Sequence, residues 1–234
     1  MSVRPLFWLP VALLALALAA PSAAAQTGSR PVLVQPDSLP PDAARLEELY
    51  WARINGGRAR FTEADVHFMT GMIGHHAQAL IMAAMAPTHG ANPEVARLAA
   101  RIDNAQRDEI ATMQRWLRVR EQPVPEIHIM GTTLMVHGGG DHAAHHTMPG
   151  MLTEAQMAEL DAARDGQFDR LFLTYMIQHH SGAVVMVDEL FGTDGAAQDE
   201  DAFKLATDVQ VDQRTEIARM QLMLDGLPPA PAGR

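Results

Sequence analysis

Phe68-Met69-Thr70-Gly71-Met72-Ile73-Gly74-His75-His76 returns 104 residues later as Phe172-Leu173-Thr174-Tyr175-Met176-Ile177-Gln178-His179-His180. Asp65 falls on Asp169 and Met82 on Met186 in the same register. A second repeat follows each copy. Ile102-x3-Gln106-x2-Glu109-Ile110-x2-Met113 lies over Val209-x3-Gln213-x2-Glu216-Ile217-x2-Met220. Both stretches carry the 3.6-residue apolar period of helices. Each half of the chain therefore reads as one helical hairpin, and the chain as the hairpin used twice. Two antiparallel hairpins bury their apolar faces most simply as one four-helix bundle with a pseudo-twofold axis.

Working outward, helix signals frame the repeats. Pro41 and Asp42 open a short helix to about Ile54, stopped by Gly56-Gly57. Thr62 is an N-cap candidate with Glu63 and Asp65 in the first turn, where the helix dipole favours acids. That helix runs to about Ala86, and a second covers 94–121. Residues 123–150 show Pro/Gly clusters and no clear period, and read as a long loop. Thr153-Glu154-Ala155-Gln156 looks like a capping box opening a short helix. Further helices are expected from Gln167 to Phe191 and from Asp199 to Asp225. The fold class is all-α. Its expected divisions are a leader (1–25), a linker with a short helix (26–60), a bundle (61–225) and a disordered tail (226–234). The bundle divides into repeat one (61–121), a crossover with a short helix (122–165) and repeat two (166–225).

The N-terminus reads as an address. Arg4 precedes an apolar run from Leu6 to Ala20, and Ala23-Ala24-Ala25 offers a cleavage site, the pattern of a secretory signal peptide. Removing 25 of the 234 residues leaves a mature chain of 209. Periplasmic or secreted localisation is expected, with no membrane insertion after cleavage. The 18 Lys+Arg against 28 Asp+Glu give a charge of -10, and aromatics are 5%, which disfavours a nucleic-acid partner. The chain has 0 Cys, 11 His and 15 Met, so thiolate zinc, iron–sulfur and cysteine nucleophiles are excluded.

On a helical wheel Met72, His75, His76 and Met82 share a face about 120° wide, with small Ala79 inside it. Met176, His179, His180, Ala183 and Met186 repeat the arrangement. Four imidazoles inside apolar helices are costly to bury without partners, which points to metal ligation by at least one His pair. Thioether and imidazole together suit Cu(I), and His-rich sets also hold Cu(II). A di-iron site wants Glu-x-x-His, which neither Glu109 nor Glu216 supplies. Gln106, Glu109, Gln213 and Glu216 are expected to hydrogen-bond the imidazoles. Met113 and Met220 are second-rank ligand candidates, as is Met69. In the crossover, His128, Met130, Met135, His137, Asp141, His142, His145, His146, Met148 and Met151 form a tract that reads as metal-binding by composition, with His142, His145 and His146 the tightest group.

The doubled Met-x-x-His-His motifs, Gln106-x-x-Glu109-Ile110-x-x-Met113 with its repeat, and Met148-Pro149-Gly150-Met151-Leu152 resemble the domain of unknown function 305 family. The resemblance covers roughly residues 61–225. It implies an exported, ferritin-like four-helix bundle, and for some members periplasmic copper binding and copper resistance. By position it implies Met72, His75, His76, Met82, Met176, His179, His180 and Met186 as ligands. The expected function is copper buffering, chaperoning or resistance, with a copper-transfer protein as a possible partner. Binding should weaken below about pH 6, where imidazole protonates. The alternative is a metal-dependent oxidase in the same pocket, with Glu109 or Glu216 as acid/base groups.

Overall fold

The computed structural model describes residues 41–58, 60–138 and 148–228. The expected leader, residues 26–40 of the linker, His142, His145, His146 and residues 229–234 of the tail lie outside the described residues. The chain divides into two units, Met1–Arg45 and Leu46–Arg234. Of the first, only the opening turn of helix α1 (Pro41–Arg58) is described.

The second unit is mostly helical. After the rest of α1 come α2 (Glu63–Met85), α3 (Pro93–Val119), α4 (Glu154–Ala162), α5 (Asp165–Gly192) and α6 (Glu200–Gly226). Strands β1 (Glu126–Met130) and β2 (Thr133–His137) lie between α3 and α4. Among the described residues no helix is long and apolar enough to cross a membrane.

The helix starts follow from local chemistry. Thr62 and Asp65 form a reciprocal capping box, with the Thr62 N–H donating to Asp65 at 2.8 Å. Asn92 caps α3 with Pro93 in its first turn, and Thr153 with Gln156 forms the box that opens α4. Asp65 does more than cap, and Asp169, which caps nothing on its own helix, shares its second role. Asp65 also accepts the Ala197 N–H at 2.7 Å, just before α6. Asp169 accepts the Asn92 N–H at 3.0 Å, just before α3. Each buried carboxylate thus ties the start of one inner helix to the start of the outer helix of the other hairpin.

The expected long loop is in part a hairpin, and this corrects the reading of 123–150. Glu126-Ile127-His128-Ile129-Met130 and Thr133-Leu134-Met135-Val136-His137 alternate polar or soft side chains with aliphatic ones, the period of a strand. They pair antiparallel, Glu126 opposite His137 and His128 opposite Met135. The two-residue turn places Gly131 at φ +59, as a primed hairpin turn requires. Pro123, Pro125 and Gly131 draw attention to the loop and mask the alternation.

Two apolar clusters fill the interior. One joins the start of α2 (Phe68, Met69, Met72, Ile73) to the end of α3, the end of α5 and the start of α6. The other joins the end of α2 to the start of α3, the start of α5 and Met220 of α6. Helices α2 and α5 are therefore antiparallel neighbours at the centre, with α3 beside α2 and α6 beside α5. Every residue from Phe68 to Ala83 is buried, which is why α2 is apolar around its whole circumference.

Candidate metal centre

Between the two clusters lies a layer of four imidazoles. His75 and His76 of α2 and His179 and His180 of α5 are each 0% exposed. The His75 and His179 rings lie with centroids 3.9 Å apart and planes inclined at 38°. His76 and His180 lie outward of them, 6.4 and 6.1 Å from their neighbours on the same helix.

The outer pair is held by the predicted carboxylates. His76 Nε2 donates to Glu109 Oε2 at 2.7 Å, and His180 Nε2 donates to Glu216 Oε2 at 2.7 Å. Gln106 departs from expectation: it is buried, and neither its amide nitrogen nor its oxygen has a hydrogen-bond partner among the protein's atoms. Gln213 leaves its Oε1 unpartnered too. The inner pair uses backbone acceptors. His75 Nε2 donates to the Pro149 carbonyl at 3.0 Å, and His179 Nε2 to the His75 carbonyl at 3.0 Å.

Those acceptors settle the tautomers. A carbonyl oxygen only accepts, so His75 and His179 carry their proton on Nε2 and a lone pair on Nδ1. Burial, followed by the neighbouring imidazoles, pulls His75 down to about 3 and His179 well below its ordinary value. Both rings are therefore neutral at physiological pH. All four Nδ1 atoms are buried with no hydrogen-bond partner. His89 provides the contrast. It is also buried, yet its Nδ1 accepts from Thr88 at 2.9 Å and its Nε2 donates to the Asp161 carbonyl at 3.0 Å. The fold satisfies both nitrogens of a structural histidine; in the central layer it aligns one and leaves the other bare.

The methionines sort by cluster rather than by helix. Met72, Met113 and Met186 belong to the first cluster, with Met69. Met82, Met176 and Met220 belong to the second. Met72 and Met82 are ten residues apart, about 15 Å along a helix, so one ion cannot take both. Each cluster instead takes one member of every repeat-related pair: Met72 against Met176, Met186 against Met82, and Met113 against Met220. A further sulfur joins the first set. A Cβ on Gly71 would lie 3.3 Å from Met148 Sδ and 3.4 Å from Met186 Cε, so the glycine opens the space these side chains fill. Tyr175 takes the corresponding place in the second repeat. In the sequence Met148 belongs to the crossover tract and to the Met148–Leu152 motif, and only the docking of that segment places its sulfur beside Gly71.

That docking is specific. The Gln78 side chain accepts the Leu152 N–H at 2.8 Å and donates to the Leu152 carbonyl at 3.0 Å. Gly150, at φ +76, packs backbone to backbone against Gly182, where any Cβ would overlap the Pro149 carbonyl. Gly182 stands where the first repeat has Gln78. The symmetry is broken so that one segment can close over the layer.

Outside the layer, Glu109, Asp212 and Glu216 gather where α3 faces α6. Burial, then Glu109 and Glu216, raises the Asp212 pKa. Arg101 offsets this in part, 3.8 Å from Glu216. The local field favours a cation. Among the described residues, no three His, Asp or Glu side chains are already gathered around one metal-sized point.

The model of the family described as a domain of unknown function (DUF305) matches residues 65–224. A DUF305 fragment from Deinococcus radiodurans is 32% identical with a TM-score of 0.57, covering 70% of this chain and 97% of that one. A DUF305 protein from Streptomyces coelicolor is 26% identical with a TM-score of 0.57, covering 69% and 91%. CopM in its Cu(II)-bound form is 29% identical with a TM-score of 0.51, covering 69% and 95%. CopM is also known in Cu(I)-bound and silver-bound forms. No curated protein is significantly similar to the chain. The chain belongs to the DUF305 family.

Proposed function

We propose that this DUF305 protein binds copper in a ferritin-like four-helix bundle of the cell envelope, as a buffer, chaperone or resistance factor. The observation that carries the reading is the set of four buried, unpartnered Nδ1 atoms on rings whose Nε2 positions are already fixed. A buried polar group left unsatisfied costs about 1–3 kcal/mol, and proteins keep few of them. Four on one layer, at repeated positions, make sense as ligand atoms. Glu109 and Glu216 on the far nitrogens match the way carboxylates orient metal-binding imidazoles.

His75, His76, His179 and His180 would supply nitrogen. Met72, Met113 and Met186 would supply sulfur on one side, and Met82, Met176 and Met220 on the other. Thioether with neutral imidazole is a donor set for Cu(I), and the imidazoles alone can hold Cu(II). The copper- and silver-bound forms of CopM support the same class of ion. The leader and export remain part of this proposal, as does hand-over to a copper-transfer protein.

Titration of the mature chain with Cu(I) against a competing chelator tests the reading. Tight binding that His76→Gln and His180→Gln together weaken at least tenfold is the expected result. Binding unchanged by both substitutions would overturn it.

A further inference from the structure

The hairpin divides its side chains into two chemically different faces. Ile127 packs on the first apolar cluster and Leu134 on the second, while Val136 is buried. The other face carries Glu126, His128 and Met130 on β1, with Thr133, Met135 and His137 on β2. Beside Glu126 and Thr133, this outward face carries two histidines and two methionines, with Met130 63% exposed.

The register brings these donors together. His128 lies opposite Met135, and Glu126 opposite His137. The His128 and His137 rings have centroids 5.3 Å apart, with planes inclined at 57°. Glu126 Oε2 is 3.8 Å from His128 Nε2. Two imidazoles sharing one ion through bonds of about 2 Å place their centroids roughly 5–6 Å apart, so the observed spacing already fits.

We propose that the outward face of the β1–β2 hairpin is a second metal site, taking one copper-class ion through His128, His137 and Met135. Glu126 adds negative charge beside it. Two imidazoles with a thioether suit Cu(I), and the two imidazoles alone can hold Cu(II), so the site accommodates either oxidation state. Its position gives it a distinct job. The central layer is sealed from solvent, whereas the hairpin face is open, so an ion there exchanges directly with the medium. The hairpin site does not depend on the central layer binding metal.

The test uses the full mature chain carrying His142→Ala, His145→Ala and His146→Ala, which removes the neighbouring imidazoles. Equilibrium dialysis with Cu(II) alone counts bound equivalents, and Cu(I) with a competing chelator gives the affinity. In this background His128→Gln with His137→Gln should lose one Cu(II) equivalent. His76→Gln with His180→Gln should keep that equivalent, whatever becomes of the central layer. Met135→Leu should weaken Cu(I) binding about tenfold while changing Cu(II) binding less than about threefold, because sulfur prefers the softer ion. An unchanged equivalent count in the hairpin variant overturns the proposal. So does a wild-type proton spectrum in which substoichiometric Cu(II) leaves the His128 and His137 ring signals sharp; selective broadening of those two rings supports the site even if the variant folds poorly.

Discussion

Glu109 and Glu216 are where the central layer is most easily probed without emptying it. Each is only 14% exposed and holds the Nε2 of one outer imidazole. Glu109→Ala or Glu216→Ala leaves all four Nδ1 atoms in place but frees one ring to turn. Loss of such an orienting carboxylate typically lowers metal affinity 10–100-fold, so each variant should bind Cu(I) in that range below wild type in a chelator competition. Equal affinity would mean that the carboxylates serve packing alone. The methionines allow a complementary test. Met186→Leu and Met82→Leu conserve volume and should cost less than about 1.5 kcal/mol in urea unfolding. If the sulfurs bind, Cu(I) affinity falls while Cu(II) affinity holds. If they only fill space, neither changes.

At the scale of elements, the segment from Met148 to Leu152 is the piece that closes the site. Its seat depends on the absence of a side chain at residue 182. Gly182→Ala forces a methyl group against the Pro149 backbone and should destabilise the protein by roughly 2–3 kcal/mol in denaturant unfolding, with lowered Cu(I) affinity. A neutral result would show that the segment docks loosely. This closure was not legible in the sequence. No local pattern links Gly182 or Gln78 to residues 149–152; only the folded chain brings them together. By contrast, the helix starts at Thr62 and Thr153 were legible, because capping is chemistry between residues three apart. The His pairs were legible because the repeat marked them. The hairpin was misread because its alternation is short and flanked by Pro and Gly. The grouping of methionines across helices was also hidden, since a helical wheel shows which face a residue is on but not its height along the axis.

Across the whole molecule, the buried imidazoles couple stability to pH. His75 is pulled from an ordinary 6.5 to about 3 in the fold, and His179 moves the same way. Between those values the unfolded chain binds a proton that the folded chain refuses. Stability is therefore fully present above about pH 6.5 and declines as pH falls toward 3. At pH 5, His75 alone should remove about 2 kcal/mol relative to pH 8. Urea midpoints at the two pH values check this, and equal midpoints would contradict a sealed, neutral His75–His179 pair. Copper bound only by the folded chain should raise the midpoint at pH 8, by an amount growing with free ion concentration. Copper bonding to the bare Nδ1 atoms is checked by anomalous diffraction at the copper edge from Cu(I)-loaded crystals. Density within bonding distance of Nδ1 on His75, His76, His179 or His180 is the expected result. Copper found only at the surface, with those four nitrogens unligated, would overturn the proposed site.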